Sequence, residues 1–143
     1  MIVAVTKQNE IEWAELNVAL WSDNTIESRL EERAKGYCEH EFLYYIENQP
    51  VAFLSLSLRH DYVEGTDSSP VGYIEGIYVK PEFRSRGIGK ELVEYAKNWS
   101  LENKCSQLAS DCEITNESSR VFHNRTGFKE ANTIVCFVMN LRD

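Results

Sequence analysis

Long apolar runs are missing from this chain of 143 residues. No stretch approaches the roughly 18 consecutive apolar residues that a membrane-spanning helix needs, so no membrane role is expected. Positive charge is also scarce. There are 15 Lys and Arg against 23 Asp and Glu, a net charge of −8. A nucleic-acid partner wants a basic face, so the charge argues against nucleic acid, and it reads either as plain solubility, the default, or as a preference for cationic partners. The four cysteines, Cys38, Cys105, Cys112 and Cys136, form no CxxC and have no histidine at zinc spacing. They read as free buried thiols, with no disulfide and no metal. Residues 1–7 lack a charged leader before an apolar block, which leaves no secretory signal and makes the cytoplasm the expected compartment. With only three prolines and seven glycines, no Pro-rich or Gly/Ser linker and no repeat interrupts the chain. One domain over residues 1–143 is the expectation.

What the chain does contain is ordinary globular material, 43% hydrophobic and 27% charged. Within it lies one unusual stretch, Ile77-Tyr78-Val79-Lys80-Pro81-Glu82-Phe83-Arg84-Ser85-Arg86-Gly87-Ile88-Gly89-Lys90. A β-branched and aromatic run ends at Lys80-Pro81, two glycines follow, and then an amphipathic helix pattern begins. Strand, tight turn and helix N-terminus together make an anion site, because the first helical amides have no intrahelical acceptor and the dipole adds positive potential. Gly87 and Gly89 carry no Cβ and let a phosphate reach the main chain, while Arg84, Arg86 and Lys90 add charge in an otherwise acidic protein.

The remaining pattern reads as a strand at 2–6, a helix from Asn9 with Glu12 as reciprocal capping partner, and a polar helix over 25–38. A hairpin of strands 41–47 and 51–59 turns at Asn48-Gln49-Pro50. A polar loop leads to strand 71–79, then come a helix over 87–103, a strand at 107–112, a helix capped by Asn116 and closed by Gly127, and a last strand at 133–141. This is a mixed α/β (α+β) protein with a mixed central sheet flanked by helices. Strand alternation places Tyr73, Glu75 and Ile77 on one face.

This order, with the glycine-rich turn Arg84-Ser85-Arg86-Gly87-Ile88-Gly89 in its middle, resembles the GCN5-related N-acetyltransferases (GNAT). The resemblance implies that acetyl-CoA is the cosubstrate and that its pyrophosphate lies on the turn. Ile77, Tyr78, Val79, Arg84, Ser85, Arg86, Gly87, Ile88, Gly89 and Lys90 would then hold the cofactor. Asn116 matches the residue that bonds the pantetheine arm. His123 stands where many members place a tyrosine proton donor. A narrower resemblance, to the bacterial aminoglycoside 6′-N-acetyltransferases, rests on Leu20-Trp21-Ser22, on Arg59-His60-Asp61-Tyr62-Val63-Glu64-Gly65-Thr66-Asp67-Ser68-Ser69-Pro70-Val71, and on Glu75-Gly76, Ala109-Ser110-Asp111 and His123…Gly127-Phe128. It implies acetylation of the 6′-amine of drugs such as kanamycin and tobramycin, and a homodimer. The chain carries Asn132 and Phe137 where that group often has an acid and a tyrosine.

The chemistry needs an amine freed of its proton, a polarised thioester and carboxylates to bind a polycation. Glu75 is the expected acceptor ligand and water-mediated base, and Asp111 the second ammonium ligand. Alternative readings are a solvated face for Glu75 and a turn cap for Asp111. Trp21 and Tyr62 are candidate walls for the sugar rings, and Trp21 reads equally as a helix-end core residue. A main-chain N–H of Tyr78 or Val79 would polarise the thioester carbonyl. No base stands at a recognisable spacing from any cysteine, so direct attack in a ternary complex is preferred over an acyl-enzyme. A different amine, such as a polyamine or a protein N-terminus, and a CoA-binding module without catalysis remain the competing functions.

Overall fold

The computed structural model describes residues 1–142, which fall into two compact units, the first Met1–Asp111 and the second beginning at Cys112. In the first unit, β1 (Ile2–Ala4) leads to helices α1 (Glu10–Leu20) and α2 (Ile26–Ala34). Strands β2 (His40–Ile46), β3 (Gln49–Arg59) and β4 (Val71–Val79) follow, then a 3₁₀ turn (Pro81–Phe83), helix α3 (Ile88–Glu102) and the short strand β5 (Leu108–Ala109). The sheet runs β1-β2-β3-β4-β5, antiparallel except for the β4–β5 pair. A parallel neighbour needs a crossover, and α3 supplies it.

Local chemistry explains the joints. Glu47 and Asn48 both take left-handed φ values, 47° and 68°, which is the signature of a two-residue hairpin turn. The turn therefore closes one residue earlier than the sequence suggests, and Pro50 enters β3 beside a register shift, where its missing N–H breaks no ladder bond. Thr25 and Ser28 form a reciprocal cap that starts α2. The expected reciprocal cap of α1 is not made. Asn9 Oδ1 instead accepts from Thr6 N–H at 2.7 Å, and Glu12 takes the Tyr45 hydroxyl at 2.9 Å.

Helix α1 buries Trp13, Ala14 and Leu16 against Val5, Leu43 and Phe53. Helix α3 buries Ile88, Leu92, Val93 and Ala96, with Ser100 against β4. A Cβ on Gly72 would overlap the Ser100 side chain, so glycine sets how closely α3 can approach the sheet. Among the described residues, no helix is long and apolar enough to cross a membrane.

The second unit holds α4 (Glu117–Arg125), capped by Asn116, whose side-chain oxygen accepts from Ser119 N–H at 3.1 Å, and followed by Gly127 at φ 106°. The expected last strand is absent. Residues 133–141 join no ladder, and Ile134, Val135, Phe137, Val138, Met139 and Leu141 are 61–93% exposed. Apolar β-branched sequence makes a strand only where a partner edge meets it. The thiols also differ from the buried expectation. All four are free, but only Cys105 is buried, Cys38 is half-buried, and Cys112 and Cys136 are exposed.

Candidate active site

The site grows from one extra residue in β4. Across the β3–β4 ladder Ser55 faces Gly76 and Leu56 faces Ile74, so Glu75 is a bulge with no partner of its own. A bulge bends its strand and re-aims the inserted side chain. It also reverses the alternation beyond it. Tyr73 and Glu75 share the side of Ser57 and Arg59, as expected, but Ile77 falls opposite Leu54 on the other face. The single face expected for Tyr73, Glu75 and Ile77 is therefore corrected, because period-2 reasoning does not survive an insertion.

Glu75 is exposed and fully engaged. Its Oε1 accepts from Ser57 Oγ at 3.0 Å, from Arg59 Nε at 3.0 Å and from an Arg59 terminal nitrogen at 2.5 Å, and that same nitrogen reaches Oε2 at 2.9 Å. The Arg59 guanidinium lies 3.5 Å from the centre of the Tyr73 ring. The Tyr73 hydroxyl in turn donates to Asp111 Oδ2. Burial, and then the bond to Asp111, push the Tyr73 phenol above its ordinary value, so it remains a proton donor to that carboxylate. Glu75 and Asp111, far apart in sequence, are thus joined through Arg59 and Tyr73. Sequence reasoning missed both linking residues. Their signals were present: Tyr73 two places before Glu75, and Arg59 at the head of the Arg-His-Asp-Tyr block.

Trp21, at the C-terminal cap of α1, packs beside the bulge. A Cβ at Gly76 would sit 2.5 Å from the indole Cζ2, so the ring fits only over glycine. Its ring also meets Phe53 at 5.5 Å and the Arg29 guanidinium at 5.3 Å. Trp21 packs on the core cluster, as its reading as a helix-end core residue has it, and its ring lies over Gly76, the residue after Glu75. Tyr62 is 75% exposed on the loop between β3 and β4. That loop is pinned one residue later by Val63, which packs with Val71 and Tyr73. Asp61, Glu64 and Asp67 on the same loop are exposed.

The other half of the site lies along the far edge of β4. Parallel pairing with β5 covers only Gly72 and Tyr73, so among the described residues no strand borders that edge from Ile74 onward. Lys80 N–H donates to Val51 O at 2.9 Å across the β3 side. Alternation then gives Tyr78 N–H to that same side and turns Ile77 and Val79 N–H to the open edge. At the end of the strand Ser85 and Gly87 both take left-handed φ, 64° and 82°, a turn that gathers successive amides into an anion nest. Gly87 caps α3 with no side-chain bond, so the first-turn amides of Ile88, Gly89 and Lys90 receive no acceptor from the capping residue. The Ile88 side chain is buried and contributes to the nest only through its backbone. Arg84 bonds the Val79 carbonyl at 2.8 Å and leans on Tyr78, holding the turn against the strand. Arg86 lies 5.2 Å from Phe83, and Lys90 is exposed. An uncapped helix start beside an unpaired strand edge fits a diphosphate with an extended amide-bearing arm.

In the second unit His123 Nδ1 lies 2.7 Å from the Ser119 carbonyl, which places the proton on Nδ1, and its ring meets Phe128 at 5.1 Å. Asn116 serves as the cap of α4.

Comparison with known proteins converges on one group. The model of the acetyltransferase (GNAT) family matches residues 6–128. An aminoglycoside N(6′)-acetyltransferase type 1 of Stenotrophomonas maltophilia is 35% identical over 133 residues, 90% of this chain and 86% of that protein. The structure of AAC(6′)-Iy in complex with the bisubstrate analogue CoA-S-monomethyl-acetylneamine superposes with a TM-score of 0.92 at 31% identity, covering 98% of this chain and 97% of that one. The apo aminoglycoside 6′-N-acetyltransferase AAC(6′)-IG of Acinetobacter haemolyticus also gives 0.92, at 34% identity and 99% coverage of both chains.

Proposed function

The chain belongs to the acetyltransferase (GNAT) family, among the aminoglycoside 6′-N-acetyltransferases, and from that membership we propose that it transfers the acetyl group of acetyl-CoA to the 6′-amine of aminoglycosides. The observation that carries the reading is the single strand β4. It presents a carboxylate at its bulge on one side and an unpaired edge leading to an anion nest at its end.

The mechanism is direct transfer with both substrates bound. The pyrophosphate sits on the amides after Gly87, with Arg86 and Lys90 beside it. The pantetheine arm runs along the open β4 edge, and by the family resemblance Asn116 and His123 belong to the residues that bind the cofactor. Val79 N–H donates to the thioester carbonyl as negative charge develops on its oxygen. Glu75 and Asp111 bind the acceptor's ammonium groups, and Trp21 and Tyr62 border the sugar rings. Glu75 takes a proton from the amine through water. The freed nitrogen lone pair attacks the carbonyl carbon, the C–S bond breaks with its electrons leaving on the CoA sulfur, and the proton that the nitrogen sheds as the amide forms balances the one the thiolate takes up to leave as CoA thiol. Effective concentration in the ternary complex supplies much of the acceleration.

The family match crosses the boundary between the two compact units, which supports one catalytic domain over residues 1–143. The protein acts in the cytoplasm, where acetyl-CoA is available. It works as a homodimer, and the exposed apolar residues of 134–141 support this, since a stretch of that composition calls for a covering partner. Sedimentation should give twice the chain mass, and a single-chain mass would refute the dimer.

The acceptor class is tested by thiol release from acetyl-CoA with kanamycin, spermidine and a peptide N-terminus. Kanamycin should give the highest kcat/KM. A higher value for spermidine or the peptide would overturn the assignment.

A further inference from the structure

The reaction as described needs Glu75 to receive an ammonium and then a proton. The structure leaves it little capacity to do either. A carboxylate offers about four lone-pair directions. Three donors converge on Oε1 and one reaches Oε2, three of the four contacts coming from Arg59. Arg59 also covers the Tyr73 ring, the surface between Glu75 and the carboxylate of Asp111. Its cation thus sits between the two acids that the acceptor's ammonium groups require.

We propose that Arg59 is a resident cation that occupies the 6′-ammonium position of the free enzyme and must be displaced by the acceptor. This rests on the functional reading above and adds a specificity-setting residue to it. The geometry suits displacement. The Arg59 side chain is 42% exposed, so it can turn into solvent without a cavity opening behind it. Its anchors are an ion pair open to water and a face-on aromatic contact, each of modest strength. The arrangement keeps the Glu75 carboxylate paired while the site is empty, with Asp111 held by the Tyr73 hydroxyl. It admits only a ligand that brings a replacement charge to the same point. A hydroxyl at the 6′-position brings none, so discrimination between 6′-amine and 6′-hydroxyl begins at binding, before any chemistry.

The test measures dissociation constants of neamine and of its 6′-hydroxyl analogue by calorimetry on the CoA-bound wild type, Arg59→Gln and Arg59→Lys, with melting temperatures as the fold control. Arg59→Gln should bind neamine about five- to tenfold more tightly, the combined worth of the two contacts removed. The 6′-hydroxyl analogue should change by less than about twofold, because it never displaced the guanidinium. Arg59→Lys, which keeps the charge but loses the planar fork, should gain less than the glutamine variant. Equal gains for both ligands would mean a diffuse charge effect and would overturn the proposal. So would weaker neamine binding in Arg59→Gln, which would make Arg59 a support for Glu75. Failure of the functional reading looks different: the wild type itself would release no thiol with neamine, and the role given to Arg59 would fall with it.

Discussion

Glu75→Gln should lower kcat/KM for a 6′-amino aminoglycoside by about 10²- to 10³-fold, the usual worth of a general base in place, while the KM for acetyl-CoA stays within about twofold. The substitution keeps the size of the side chain and one acceptor oxygen for Ser57, and the site is exposed, so the sheet should be unaffected. What is lost is the only carboxylate on the bulge. If Glu75 acts as base, most of the loss falls on kcat. If it acts only as an ammonium ligand, most falls on KM. Asp111→Asn should cost less and mainly in KM, because Asp111 is held by the Tyr73 hydroxyl at the edge of the site. Steady-state kinetics with both substrates varied decides this. A Glu75→Gln enzyme within threefold of wild type would refute the base and the acceptor-ligand roles together.

The second large effect lies away from the site. Glu41 is buried between α1 and the sheet, accepting from Trp13 Nε1 at 2.7 Å and Ser55 Oγ at 2.5 Å. Burial pushes its carboxyl up to about 7 from 4.5, against the opposing pull of its two hydrogen bonds and of Arg29 and Arg33. Between those two values the folded protein holds a proton that the unfolded chain has released. Stability from this group is therefore fully present below the unfolded value and is lost as pH rises through the folded one. The size is about 3 kcal/mol across the window. Glu41→Gln cannot ionise, so its stability relative to wild type should climb by about that amount between pH 4.5 and pH 8. Urea unfolding of both proteins across that range measures it, and a pH-independent difference would contradict the assignment.

These two carboxylates also show what the sequence could and could not reveal. Glu75 was singled out because it stands in the strand that feeds the Arg84–Lys90 turn and because the family resemblance gives a glutamate there a role. Its true geometry was not legible, because a bulge leaves no mark in apolar alternation. The same bulge misassigned Ile77 and concealed that Val79, rather than Tyr78, turns its N–H to the open edge. Glu41 opens the strand read at 41–47, and nothing local announces that Trp13 and Ser55 will enclose it. The turn itself was the most legible element. It depends on chemistry within ten residues, and the uncapped helix start appears where expected, while the left-handed φ of Ser85 and Gly87 is seen only in the structure. The last strand failed for the opposite reason. Residues 133–141 have strand composition, but a strand needs a partner edge, and that information is not local. Arg59 was quoted within a motif without a role, since only the folded register brings it onto Glu75.

Thiol release from acetyl-CoA with a matched pair of acceptors, neamine and the same compound bearing a 6′-hydroxyl, tests the central claim most directly. The account predicts saturable, drug-dependent release with neamine, a product carrying one acetyl group on the 6′-nitrogen by mass spectrometry, and no release above background with the hydroxyl compound. Equal release with both, or acetylation of neamine at another amine, would contradict it.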